Sequence, residues 1–354
     1  MLLRARLRPV ASLVATRVTT PPGPEPRPAA AAARGLSAAS HAPRCRTTPP
    51  STHHPHPARH ASTMAAAASA SPSLPALAAP PAGGLTVYRV PCLSDNYTWV
   101  LVSEGEGATS AGGDGKNSAR TVAVVDPAEA GPVAAALDAL GGRLDLIINT
   151  HHHGDHTGGN LELKRRYPGC RVVGPAADAA RIPGLDDPVA DGDTWALGAL
   201  TVTTFDTPGH TRGHVCHWVG GPAAALFSGD TLFALGCGRL FEGSPTQMHA
   251  SLAKLKGLPP DTRVFCAHEY TLSNARWATA LYGGANPALT ARAAAVEAAR
   301  AVGEPTVPSR LGDELATNPF LRADDPALKA AVGLAADADE VAAWAAVRAH
   351  KDKF

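Results

Sequence analysis

The stretch Thr150-His151-His152-His153-Gly154-Asp155-His156 follows directly on the apolar run Leu144–Asn149. So much imidazole and carboxylate in six residues is not core material, because burying it unpaired costs several kcal/mol. At the end of a strand the chain is still extended, so His151 and His153 project to one side, two residues apart. Asp155 and His156 follow where the chain turns and can face a second position nearby. Imidazole nitrogens together with carboxylate oxygens suit zinc, iron or manganese. A fold that uses this segment must carry it at a strand end and bring further ligands to meet it.

Candidates for those ligands stand at other strand ends. His210 follows the run Leu200–Phe205 through Thr207-Pro208-Gly209, Asp230 follows Ala224–Phe227 through Ser228-Gly229, and His268 follows Arg263–Cys266 through Ala267. Alone, each would read as an ordinary surface, core or turn residue. With the 151–156 cluster as anchor they complete a set of five histidines and two aspartates. That is enough for two metal ions bridged by one carboxylate. His152, His214, His217 and His249 have no such position and read as supporting or structural residues. Gly158 and Gly159 are expected to let the next helix start close to the metals.

The rest of the chain sets the frame. Strand-length β-branched runs occur at Leu85–Val90, Tyr97–Ser103, Thr121–Val125, Leu144–Asn149, Leu200–Phe205, Val215–Val219, Ala224–Phe227 and Arg263–Cys266. Helical patterns cover Pro132–Leu140 and Gly159–Tyr167, then Thr271–Tyr282, Ala288–Ala301 and Asp337–His350. Glu104–Ser118 is rich in Gly and Ser and reads as an exposed loop. Two strand-rich halves flanked by helices predict a layered α/β sandwich over residues 85–270, followed by a helical domain over 271–354.

Residues 1–84 differ from everything after them. They hold nine Arg, no Lys, a single acid (Glu25) and 15 of the 32 prolines. This composition cannot bury enough apolar surface to fold, and it matches an organellar transit peptide. A mitochondrial address is expected first and a plastid second; a start at Met64 would give a cytosolic form. Removing this segment leaves 23 basic and 30 acidic residues, a body near −7. Such a body is a poor polyanion binder, so no nucleic-acid partner is expected. Nor is any apolar run long enough to span a membrane. The six cysteines show no paired spacing and read as core residues. A monomer is expected.

The pattern His151-x-His153-x-Asp155-His156 with His210, Asp230 and His268 resembles the metallo-β-lactamase superfamily. Within that superfamily the sequence is similar to the glyoxalase II, or hydroxyacylglutathione hydrolase, family. Asn96-Tyr97, Val125-Asp126-Pro127, TPGHTRGH, FSGDTLF, GCGRLFEG, AHEY and TNPFLR carry the likeness from about residue 85 onward. The resemblance implies an αββα sandwich with a C-terminal helical domain. It also implies one metal on His151, His153 and His210, a second on Asp155, His156 and His268, and Asp230 bridging them. The implied reaction is hydrolysis of the thioester S-D-lactoylglutathione to D-lactate and glutathione. Asp155 and Asp230 would be the catalytic residues, through the water or hydroxide that two divalent ions, zinc first, would hold. Asp126 would orient a ligand from behind. Arg239, Phe241 (Tyr in many relatives), Tyr270, Arg348 and Lys351 match the glutathione-binding positions. The rival enzyme reading is another member of the superfamily, such as a persulfide dioxygenase with one iron. A catalytically silent scaffold would have lost ligands, and all seven are present.

Overall fold

The computed structural model describes residues 76–78, 82–104 and 120–354. The expected leader lies outside the described residues as far as residue 75, and so does the Gly/Ser-rich insert Glu104–Ser118 beyond its first residue. The first sheet runs in chain order: β1 (Ala76–Leu77), β2 (Leu85–Cys92), β3 (Asn96–Ser103), β4 (Thr121–Val125), β5 (Leu146–Ile148), β6 (Arg171–Pro175) and β7 (Asp187–Val189). Neighbours from β1 to β4 are antiparallel and those from β4 to β7 parallel. Helix α1 (Ala130–Ala139) crosses from β4 to β5, and α2 (Gly154–Thr157) and α3 (Asn160–Arg166) cross from β5 to β6. Strand β1 pairs with Tyr88 and Arg89 of β2. The sheet therefore starts inside the span assigned to the leader, and the boundary at residue 84 moves upstream.

The second sheet has the order β15-β14-β11-β10-β9-β8. It is built from β8 (Thr194–Leu197), β9 (Leu200–Asp206), β10 (Val215–Val219), β11 (Ala225–Gly229), β14 (Arg263–Cys266) and β15 (Ser309–Arg310), with the small hairpin β12 (Leu232–Phe233) and β13 (Gly236–Cys237) after β11. Helix α4 (Pro245–Lys256) precedes β14. Helices α5 (Thr271–Tyr282), α6 (Pro287–Ala301), α7 (Leu311–Thr317), α8 (Pro326–Ala331) and α9 (Glu340–Lys351) complete the chain.

Strand β3 shows how the layers arise. Its sequence NYTWVLVS is buried at every position. Tyr97, Trp99 and Leu101 point between the sheets, against Phe227 and Phe265, while Val100 and Val102 point the other way, onto Val133 and Leu137 of α1 and Leu163 of α3. A strand covered on both faces reads as an unbroken apolar run, which is why it stands out in the sequence. The buried Trp99 indole donates to the Cys266 carbonyl and the Tyr97 hydroxyl to Glu269, each at 3.1 Å, so the polar groups of these two rings are paired. The outer face of the second sheet (Cys216, Leu226, Val264) is covered by Met248 and Leu252 of α4, Trp277 of α5, Phe320 and Trp344 of α9. The fold is the expected αββα sandwich. The C-terminal helices share their core with α4 and the second sheet, so burial runs continuously across the boundary placed at residue 270.

The strand ends gather at one edge. There the start of β3 lies against the end of β14: Tyr97 N donates to the Ala267 carbonyl at 2.7 Å and Glu269 N to the Asp95 carbonyl at 3.0 Å. This seam ties the two sheets together beside the cluster of polar residues that follows β5, β9, β11 and β14.

Candidate metal centre and substrate cleft

The structure brings all seven proposed ligands together. His151, His153 and His210 form one group and Asp155, His156 and His268 another; in each group the candidate ligand atoms lie within 4.8 Å of one another. His153 Nδ1 stands 3.0 Å from His151 Nε2 and 3.1 Å from His210 Nε2. Asp230 is divided between the two groups. Its Oδ2 is 3.3 Å from His210 Nε2, and its Oδ1 is 3.5 Å from His156 Nε2 and 3.4 Å from His268 Nε2. Asp155 Oδ2 sits 3.5 Å from both His156 Nε2 and His268 Nε2.

Each buried imidazole is aimed by its other nitrogen. His151 Nδ1 pairs with the Thr150 hydroxyl at 3.1 Å, and that hydroxyl donates to Asp126 at 2.7 Å. His156 Nδ1–H donates to Asp126 Oδ2 at 2.9 Å, His210 Nδ1–H to the Arg239 carbonyl at 2.9 Å, and His268 Nδ1–H to Asp95 Oδ1 at 2.8 Å. With those protons committed, the Nε2 lone pairs converge on each other, an arrangement that is repulsive unless a cation lies among them. His156 Nε2 and Asp230 Oδ1 are buried with no hydrogen-bond partner. The donor set therefore fits two divalent cations, one per group, with Asp230 between them.

Charge tells the same story. Burial, then the neighbouring His156, holds His151 well below the usual imidazole range, and burial with His210 takes His153 down to about 4. Both are neutral, the form that ligates. Burial also pulls His156 down, but Asp230 and Asp126 overcome it and push the ring up to about 9. Asp230 is forced the opposite way: burial raises its carboxyl, and His156 and His268 more than reverse that. The second group thus seeks positive charge, and a cation there competes with protons.

Sequence reading missed several supports. Asp95 precedes the Asn96-Tyr97 pair without a signal of its own and reaches His268 only through the seam between β3 and β14. Asn96, noted within a motif but given no role, donates to the Asp155 carboxylate at 3.2 Å. His214, read as supporting, stacks on His151 at 4.8 Å and accepts the Asp230 backbone N–H at 3.0 Å. Asp126 behaves as expected and does so at φ 50°, a conformation that Asp tolerates better than most residues. Gly158 is explained differently from the expectation: a Cβ there would lie 2.6 Å from the Ala128 carbonyl. The close approach of the turn after β4 is what requires the glycine.

Beside the second group lies a cleft of about 470 Å³ lined by Phe233, Arg239, Tyr270, Arg348, Lys351 and Phe354, among others. Tyr270 joins the two, its ring stacked on His268 at 4.7 Å with an interplanar angle of 7°. Burial and Asp95 push the Tyr270 phenol up, so it stays a neutral O–H. The three cations differ. Arg348 is buried, donating to Asp352 Oδ1 at 2.7 Å and to the Cys237 carbonyl at 3.3 Å. Arg239 has a side chain 67% exposed and only a loose 3.9 Å approach to Asp352. Lys351 rests its ammonium over the rings of Trp277, at 4.9 Å, and Phe354, at 5.7 Å. Burial, then the Arg348 charge, lowers Lys351 to about 8. Phe241 is 62% exposed and does not line the cleft; its ring packs at the rim, 5.7 Å from His153 and 5.1 Å from His210.

A strand-end cluster of this kind on an αββα sandwich defines the binuclear metallohydrolase class. The family model described as the metallo-β-lactamase superfamily matches residues 117–268. The model described as the hydroxyacylglutathione hydrolase C-terminus matches residues 269–354. A hydroxyacylglutathione hydrolase of Methylococcus capsulatus is 53% identical over 76% of this chain and 99% of its own length. One from Rhodospirillum rubrum is 47% identical, again over 76% of this chain and 99% of its own. A solved structure of ETHE1 from Myxococcus xanthus is 23% identical with a TM-score of 0.48, over 68% of this chain and 85% of that one. The chain belongs to the hydroxyacylglutathione hydrolase family.

Proposed function

We propose that this chain hydrolyses S-D-lactoylglutathione to D-lactate and glutathione. One observation carries the reading: a complete seven-residue ligand set opens, through the Tyr270–His268 stack, onto a cleft whose cations match an anionic tripeptide. His151, His153 and His210 would hold one divalent ion, Asp155, His156 and His268 the other, and Asp230 both. When bound, such ions make water nucleophilic near neutral pH and offset the charge that develops on a carbonyl oxygen.

The chain's own groups supply the rest. Arg239, Arg348 and Lys351 gather the substrate's carboxylates at the far end of the cleft. Tyr270, a neutral donor lying flat on His268, guides the acyl end toward the cluster. Asp155 has a side chain 38% exposed, against 9% for Asp230, and is the ligand carboxylate open to a hydrogen bond from an attacking water. Asp126, Thr150, Asp95 and the Arg239 carbonyl keep the imidazoles fixed while charge moves. The leaving group is a thiolate with an ordinary pKa of about 8.5, so it departs without a dedicated general acid.

Three finer readings belong to the same proposal. Zinc is the expected metal, since histidine-rich four-ligand sets suit it, with iron or manganese the alternatives. One chain supplies every candidate ligand and every lining cation of the cleft, so the site needs nothing from a second subunit, and a monomer is the state proposed. The Arg-bearing, acid-poor N-terminal segment supports an organellar address, mitochondrial first. Elemental analysis of the purified chain, paired with a lactoylglutathione assay, tests the core of this. Two metal ions per chain and turnover abolished by His153→Ala are expected; retained turnover in that variant would refute the assignment. Oxygen consumption in place of thioester hydrolysis would favour the rival enzyme.

A further inference from the structure

Residues 239–243 form a strip that carries Arg239 into the cleft on one side and is bonded to the candidate ligand His210 on the other. Its backbone is laid on the turn that ends in His210. Phe241 N donates to the His210 carbonyl at 3.1 Å, Gly243 N to the Gly209 carbonyl at 3.1 Å, and His210 Nδ1 to the Arg239 carbonyl at 2.9 Å. The same strip carries the Arg239 side chain into the cleft. Backbone bonds hold its inner edge, and its outer edge is held by Glu242. One Glu242 oxygen, Oε1, pairs with Arg181 Nη1; the other, Oε2, accepts from Arg181 Nη2 at 3.2 Å and from the Arg212 backbone N–H at 2.9 Å.

Arg181 is itself anchored inward. Its Nη2 donates to Asp178 Oδ1, and Asp178, whose side chain is fully buried, takes His152 Nδ1–H on Oδ2 at 2.8 Å. His152 lies between the ligands His151 and His153. A single planar guanidinium thus spans a buried carboxylate under the histidine motif and a carboxylate on the strip, the forked geometry that arginine supplies and lysine does not.

We propose that Arg181 is a positioning residue for substrate binding: through Glu242 it clamps the 239–243 strip and so fixes the backbone from which Arg239 reaches the cleft. The inference rests on the thioesterase reading for its kinetic consequence and on the geometry alone for the clamp. The bonds from Arg181 and from the Arg212 N–H hold the Glu242 carboxyl down to about 2, so the clamp is charged across the working pH range.

The test uses the metal-loaded enzyme and two variants, Arg181→Met and the isosteric Glu242→Gln. In either, the amides of Phe241–Gly243 should exchange hydrogen about tenfold faster than in the unaltered chain, because the strip opens locally. The KM for lactoylglutathione should rise about fivefold with kcat within about twofold and metal content unchanged. Combining the two changes should cost little more than either alone, as expected for partners in one contact. Unchanged exchange in both variants would overturn the clamp, as would a fall in kcat at constant KM or full additivity of the pair. A chain that never turned over the thioester would overturn the functional reading instead, since exchange tests the clamp by itself.

Discussion

The metal cluster and the substrate cleft adjoin each other and are built on opposite plans. In the cluster, each of the four buried ligand imidazoles is fixed twice, once toward the shared site and once by a partner behind it: Thr150, Asp126, the Arg239 carbonyl or Asp95. In the cleft only Arg348 is held that firmly; Arg239 is largely exposed, and Lys351 leans on two rings in place of a carboxylate. The difference follows from the task. A metal site needs several ligand atoms converging within a few tenths of an ångström. A flexible peptide needs attraction and direction, which a few loosely held cations provide.

If that contrast is right, perturbations should shrink in effect from the cluster outward. Asp230→Asn removes the charge shared between the two ligand groups and should lower kcat/KM by roughly 10³ or more, equivalent to about 4 kcal/mol of transition-state stabilisation. A loss below tenfold would deny Asp230 its bridging place. Asp126→Asn keeps a side chain suited to positive φ but must turn an NH2 donor toward either the Thr150 backbone N–H or the His156 ring N–H, both of which donate to Asp126. Metal affinity should fall about 10- to 100-fold, as read by competition with a chelator.

Lys351→Met should raise KM about tenfold with kcat little changed, the loss of one partly buried charge contact. The same lysine gives a pH test. Its ammonium binds carboxylate only while protonated, and its pKa is lowered to about 8. KM should therefore be lowest below that pH and climb as pH rises through it, and the climb should vanish in the Met variant. Phe241→Tyr should do least: the ring stands at the rim, 62% exposed, and a hydroxyl there should move kcat/KM by no more than about twofold to threefold. A larger gain would place that ring in direct contact with substrate.

The same contrast governed what the sequence made legible. Histidine and aspartate at strand ends announce themselves, because no bland structural use explains such a run, and all seven candidate ligands that the fold gathers are readable there. Their supports were harder. Asp95 looks like a turn residue until β3 is laid against β14, and the carbonyl of Arg239 has no side chain to signal it. Among the elements, β3 was plain because both of its faces are apolar, whereas β6, β7 and β8 are too short and mixed to show period two. Helix α4 passed unseen although Ser244-Pro245-Thr246-Gln247 spells a capping box with proline at the first helical turn, and both cap bonds form. In the cleft, Arg348 and Lys351 stand on one helix and look alike in the sequence, yet Asp352, one turn after Arg348, pairs with that arginine and leaves the lysine on two aromatic rings.

Arg239 meets His210 through its carbonyl and lines the cleft with its side chain. A carbonyl is common to every amino acid, so replacing this residue would leave the His210 contact intact while altering what the cleft attracts. The position separates chemistry from selectivity. It is the natural place for a lineage, or an engineer, to change which anionic thioester is accepted without disturbing the site that cleaves it.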